Sequence, residues 1–106
     1  MAKFTPTDTE RAALKRLFDL AEGYGGGAVR ARSLLCAWWN GAELGGFDFA
    51  DLWSFDELNL AAAVTVIKMI ARTPSGTYAD SIEGFDERMR ALAERRAREL
   101  GKWSDD

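Results

Sequence analysis

Residues 53–74 read WSFDELNLAAAVTVIKMIARTP, and the pattern in them decides the fold. Ser54-Phe55-Asp56-Glu57 has the form of a capping box, in which a hydroxyl and a carboxylate three residues later satisfy two otherwise free N–H groups at a helix start. Trp53 lies just before it and Leu58 at the fourth helical position, the spacing of a hydrophobic staple. Thr73-Pro74 closes the stretch, because proline pushes the residue before it out of helical dihedrals. The spacing therefore predicts a helix over 54–72. Leu60, Val64, Ile67 and Ala71 share one face, and Ala63, Val66 and Ile70 a neighbouring one. Only Thr65, Lys68 and Arg72 form a polar stripe. A helix apolar nearly all round is expected at the centre of a domain, packed on several sides. A single layer of three helices would not cover it, so a homodimer is expected.

Upstream, a first helix is predicted over 6–22. Thr5 can cap it with Pro6 at the first helical position, or Thr7-Asp8-Thr9-Glu10 can form a capping box one turn later. Leu14, Leu17, Phe18 and Ala21 recur at helical spacing. Gly23 supplies a stop, and 23–27 reads as a glycine-rich connector. A second helix is predicted over 28–40, with Val29, Leu34, Leu35 and Trp38 inward, Arg30 and Arg32 flanking its first turns, and Asn40-Gly41 as a stop. Between it and the third helix, Asp48 can cap one short helical turn.

Downstream, 73–80 reads as a loop. A fourth helix starts at Ser81 or Phe85, with Gly84 blurring its beginning, and runs to Leu100. Ile82, Phe85, Met89, Leu92 and Ala93 face inward. Asp86–Arg90 and Glu94–Arg98 form i,i+4 pairs on the wet side. Gly101 ends the helix, and Trp103 is expected to fold back on its last turn. The fold class that follows is all-α: a compact bundle of about four helices with a short extra helical turn between helices two and three. Residues 1–106 are read as a single helical domain.

Composition narrows the function. The chain has 106 residues, 47% of them apolar, and a formal charge of −3. That balance gives no overall attraction to nucleic acid or an anionic membrane. The most apolar window, 58–71, is broken by Asn59, Thr65 and Lys68 and is too short to span a bilayer. Met1 to Pro6 lacks the apolar stretch of a signal peptide, and a cytoplasmic protein is expected. There is no histidine and one cysteine. Ser-His-Asp and Cys-His arrangements, histidine-containing zinc sites and thiolate metal sites are thereby excluded. No metal and no cofactor is expected. Cys36 reads as a buried thiol, without a basic neighbour in sequence to activate it.

The basic residues of 88–102 are matched by acids in the same segment and read as a salt-bridged helix face. The glycine run before helix two resembles a phosphate cradle only in outline, having no preceding strand and no following Lys-Ser or Lys-Thr. The segment 41–60 is different. It carries Glu43, Asp48, Asp51, Asp56 and Glu57 and no basic residue. Phe47, Phe49, Trp53 and Phe55 interleave with these acids, and Trp38 and Trp39 lie just upstream. Aromatic anchors rimmed by charge suit a protein–protein contact. The candidate partner-binding residues are Trp39, Glu43, Phe47, Asp48, Asp51, Trp53 and Asp56. The competing reading places the aromatics in the core and the acids at helix caps.

The run from Leu34-Leu35 through Trp38-Trp39-Asn40 and Gly45-Gly46-Phe47-Asp48 to Asp51-Leu52-Trp53 resembles an uncharacterised bacterial family, a domain of unknown function found on plasmids, integrative elements and phages. The likeness spans roughly 13–90. Where the family pattern has Tyr-Pro-Asp, this chain has Tyr78-Ala79-Asp80. The resemblance carries over no activity and no catalytic residue. It implies a mobile-element setting, in which small acidic proteins often inhibit host machinery, anti-CRISPR proteins among them. The expectation is a non-enzymatic binding protein that occupies a basic surface on a larger protein, such as a nucleic-acid-processing complex, with no direct contact to nucleic acid or membrane. The alternative is a small DNA-associated regulator using Arg30, Arg32 or the helix-four arginines. A third reading is a carboxylate-dependent enzyme.

Overall fold

The structure, a computed structural model, describes residues 4–101. Trp103 and the packing expected of it lie outside that range. Four helices form the fold: α1 (Asp8–Ala21), α2 (Gly26–Leu44), α3 (Glu57–Arg72) and α4 (Asp86–Glu99). Short 3-10 helices at Phe49–Ser54 and Ala79–Ser81 precede α3 and α4. Among the described residues there is no strand. The architecture is the expected all-α bundle, with the extra helical turn between α2 and α3.

Of the two starts open to α1, the later one forms. Thr7 accepts from the Glu10 N–H (3.1 Å), and Glu10 accepts from the Thr7 N–H (2.8 Å). α1 packs between α2 and α3, and α4 packs on α2. Leu14, Leu17 and Phe18 of α1, Leu35 of α2, Val66 and Met69 of α3, and Met89 and Leu92 of α4 share one buried cluster. Phe18 and Phe85 meet at 5.1 Å between ring centroids.

Three expectations need correction. The first concerns α3, which is an outer helix. Its buried positions are Ala62, Ala63, Val66 and Met69, whereas Leu58, Ala61, Val64 and Ala71 are exposed. Of the two faces read from the spacing, the one carrying Ala63 and Val66 is buried, whereas the one carrying Leu60, Val64, Ile67 and Ala71 is half-buried or exposed. The second concerns the start of α3. Asp56, not Ser54, caps it, accepting from the Asn59 N–H at 2.8 Å. Trp53 is 89% exposed and Leu58 64% exposed, so no staple shields them. Phe49–Ser54 is taken up by the 3-10 helix, which moves the cap two residues on.

The third correction is to α2, which begins at Gly26 and passes Asn40. Val29 is exposed. Asn40 leaves helical dihedrals (φ −165°, ψ 79°), and the axis kinks there instead of stopping. The Asn40 side chain then accepts from the Glu43 N–H at 3.3 Å, capping the last turn in the manner of a new helix start. Gly45 (φ 92°) ends that turn, a left-handed conformation that favours glycine.

Candidate functional site

The kink and the chain that follows it divide the expected binding residues into two groups. The first is a shoulder made by residues 47–58. Asp48 accepts from the Ala50 N–H (2.9 Å) and so caps the 3-10 helix. That helix holds Phe49 74% exposed and Trp53 89% exposed. Leu52 turns the other way and packs on the core, as does the half-buried Phe47, whose ring meets Phe49 edge-on at 6.4 Å. Phe55 is buried. Asp56 caps α3, and its second oxygen accepts from the Asn59 side chain at 3.1 Å. Asp51 lies 3.7 Å from the Arg30 guanidinium. The competing structural reading therefore holds for Asp48, Asp56, Phe47 and Phe55. It does not hold for Phe49, Trp53 and Leu58, whose apolar surface is presented to solvent among acids. Phe49 and Leu58 were not among the expected binding residues. Phe49 lies outside every helical stripe that would bury it, whereas the spacing alone assigns Leu58 to a staple with Trp53.

The second group, Trp39 and Glu43, lies at the kink itself. Trp38, Trp39, Asn40 and Gly41 on α2 face Tyr78 and Asp80 across a cleft of about 630 Å³. The Trp38 indole N–H donates to the Thr77 carbonyl (3.1 Å), which ties the 73–80 loop to α2. The Trp39 and Tyr78 rings meet edge-on at 6.2 Å. On the other side of Trp39, a shallower groove of about 330 Å³ is walled by Leu44, Ala93 and Ala97 and rimmed by Glu43, Glu94 and Arg90. The Arg90 guanidinium lies 5.8 Å from the centre of the Trp39 ring. It pairs with Asp86 at 2.7 Å and reaches Asp80 only at 3.5 Å. Tyr78, Asp80 and Arg90 were not expected at a site. The first two showed only as a variation on a family pattern, and Arg90 only as half of an i,i+4 pair.

The arginines named for a DNA-binding alternative are engaged within the chain. Arg32 is 1% exposed. Its Nε and Nη2 donate to Glu99 at 2.9 and 2.8 Å, and its Nη1 donates to the Ala21 carbonyl. Its expected place on the flank of α2 is corrected by this pairing, in which the Arg32 guanidinium engages both oxygens of the Glu99 carboxylate. Arg88 donates to Glu22 (2.7 Å) and Asp19 (2.8 Å), and Arg95 donates to the Glu22 and Gly23 carbonyls. The Arg96 Nε donates to the Leu44 carbonyl, and Arg98 lies 3.6 Å from Glu94. Both i,i+4 pairs read from the sequence are present.

Cys36 is buried, with its Sγ 3.9 Å from the Leu92 carbonyl. Burial pushes the thiol pKa up to about 12, against the smaller opposing pull of Arg96 and Arg32. A thiol with so little thiolate is no nucleophile at neutral pH. Among the described residues, no three potential metal ligands come together. No helix there is long and apolar enough to cross a membrane.

No curated protein and no solved structure matches the chain. A family model does match, over residues 11–97, which takes in most of α1, both groups of candidate residues and nearly all of α4. The chain belongs to DUF7673, a family of unknown function.

Proposed function

We propose that this protein is a non-enzymatic binding module that docks its acidic, aromatic shoulder on a basic surface of a larger protein. The observation that carries the reading is the exposure of Phe49, Trp53 and Leu58 within ten residues of chain, among acids and with no basic residue in 41–60. Isolated exposed apolar residues are ordinary, whereas a cluster of large ones rimmed by charge marks an interaction surface. The resemblance to a family of plasmids, integrative elements and phages supports a cytoplasmic inhibitor of host machinery, of the anti-CRISPR kind. The basic partner is then a nucleic-acid-processing complex, whose surfaces are built to attract phosphate.

The test uses the partner captured by the full chain from its host and then purified. Asp48→Asn and Asp51→Asn remove charge, and Asn keeps the capping role of Asp48. Both are expected to slow association and flatten its salt dependence. Trp53→Ala is expected to speed dissociation by about thirtyfold or more, as at a buried aromatic hot spot. Unchanged kinetics in all three variants would remove the shoulder from the interface.

A further inference from the structure

The cleft at the α2 kink is lined by other residues than the Phe49–Trp53 surface, and its chemistry is more specific. Two aromatic rings, Trp39 and Tyr78, wall it edge to face. Asp80 closes one side with a carboxylate whose ion-pair contact is the long 3.5 Å reach to Arg90. Rings with electron-rich faces beside an under-used carboxylate form a receptor for a cation. From the groove on the other side of Trp39, the molecule already sets one guanidinium against the same ring and the same carboxylate. The Arg90 guanidinium lies 5.8 Å from the centre of the Trp39 ring and touches Asp80, while its close partner is Asp86 at 2.7 Å.

We infer that the Trp39–Tyr78–Asp80 cleft receives an arginine side chain of the basic protein partner. The incoming guanidinium stacks on the Trp39 ring and takes Asp80 in a two-pronged pair. Arg90 gives up its long contact and remains neutralised by Asp86, so each cation keeps one carboxylate and no charge is stranded. Arginine fits better than lysine, because a planar fork both stacks and binds a carboxylate with two parallel hydrogen bonds. The cleft is also next to the shoulder. A methyl group placed on Gly41, which lines the cleft, would come 3.8 Å from the Gly46 Cα, and Phe47 follows directly. A basic segment lying on the shoulder therefore has a place for one side chain beside it. The inference rests on the basic-partner reading above and adds the residue type that is read.

The test is calorimetric titration of the full chain with an arginine–glycine repeat peptide, its lysine–glycine counterpart and free spermidine. The arginine peptide is expected to bind saturably, the lysine peptide about threefold more weakly, and spermidine more weakly still. Asp80→Asn and Trp39→Leu should each weaken the arginine peptide about tenfold. Arg90→Gln should tighten it by removing the internal competitor. Circular dichroism melts check that each variant folds; Asp80 caps no helix, and its exposed pair contributes little stability. An arginine peptide that does not bind, or that binds Asp80→Asn equally well, overturns the inference. Spermidine binding as tightly as the peptide also overturns it, by making the cleft a small-cation site. If the peptide fails while Trp53→Ala still releases the captured partner, the shoulder reading stands and only the arginine pocket falls. If Asp80→Asn weakens the peptide while the shoulder variants leave the partner's kinetics unchanged, the pocket stands and the shoulder falls.

Discussion

Arg32 and Trp53 are both large side chains with one polar end, and they sit at opposite extremes, 1% and 89% exposed. Arg32 belongs to the side of the molecule where α1, α2 and α4 meet, and there cations are spent on folding. Arg32 grips Glu99, Arg88 grips Glu22 and Asp19 while lying 5.3 Å from the Phe18 ring centre, and Arg95 takes two backbone carbonyls at the end of α1. Trp53 belongs to the 47–58 shoulder, which has no cation of its own and borrows only Arg30, at 3.7 Å from Asp51. Nearly the same residue types produce a closed network in one region and an unspent surface in the other. What separates them is whether an opposite charge is brought back by the fold.

The sharpest way to break this contrast is to remove one large side chain from each region. Arg32→Ala leaves the Ala21 carbonyl and Glu99 without their donor and opens a hole, and it is expected to cost about 3–5 kcal/mol. Trp53→Ala should stay within about 0.5 kcal/mol of the parent. Urea unfolding midpoints, at unchanged slope, measure both. Equal losses would mean that the shoulder is part of the stabilising structure.

A second comparison runs within α3. Met69→Ala, on the face against α1, should cost about 2–5 kcal/mol, and Leu58→Ala, on the open end, about 0.5 kcal/mol or less. A large loss at Leu58 would show that this end is covered in solution, and sedimentation would then be expected to find a second copy of the chain on it.

The smallest effect concerns acid. Glu10 closes the α1 capping box and also holds Arg72, whose guanidinium lies 4.8 Å from the Phe4 ring centre. Hydrogen bonding to Arg72 is the main cause that lowers the Glu10 pKa from 4.5 to about 2. A lowered carboxylate contributes stability that is complete above the unfolded value and is lost as pH falls through the folded one. Stability should therefore decline from about pH 4.5 toward about 2, and less steeply in Glu10→Gln, where the amide can still serve the capping box. Identical acid profiles would remove Glu10 from the set of groups that shape this region.

Local features were legible in the sequence. The Thr7–Glu10 box, the Asp48 cap, the inward face of α4 and its two i,i+4 pairs each depend on residues within a turn or two of one another. What was hidden depended on distance along the chain. Arg32 reads as a flank residue until Glu99, 67 positions away, is folded against it. Asn40-Gly41 carries a stop signal, yet Asn40 restarts the helix by capping its own continuation. Trp53, Ser54 and Leu58 match a staple and box by spacing alone, but the 3-10 helix claims Ser54 first. The cleft and the groove on the other side of Trp39 assemble Trp39, Tyr78, Asp80 and Arg90 from three separated segments, so only Trp39 stood out before folding. The acidic segment was visible because it is contiguous, although the chain itself splits that segment between a shoulder and a kink.

The buried Cys36 also turns the bundle into its own clock. Its Sγ lies against the Leu92 carbonyl, between α2 and α4, and its pKa near 12 leaves almost no thiolate to react. An alkylating reagent can reach it only when those two helices part. The rate at which it is modified in native buffer is then the rate, or the equilibrium constant, of that opening, according to whether modification or reclosure is faster. One ordinary side chain, placed where two helices meet, thus reports the opening of the bundle with no reporter residue introduced into the chain.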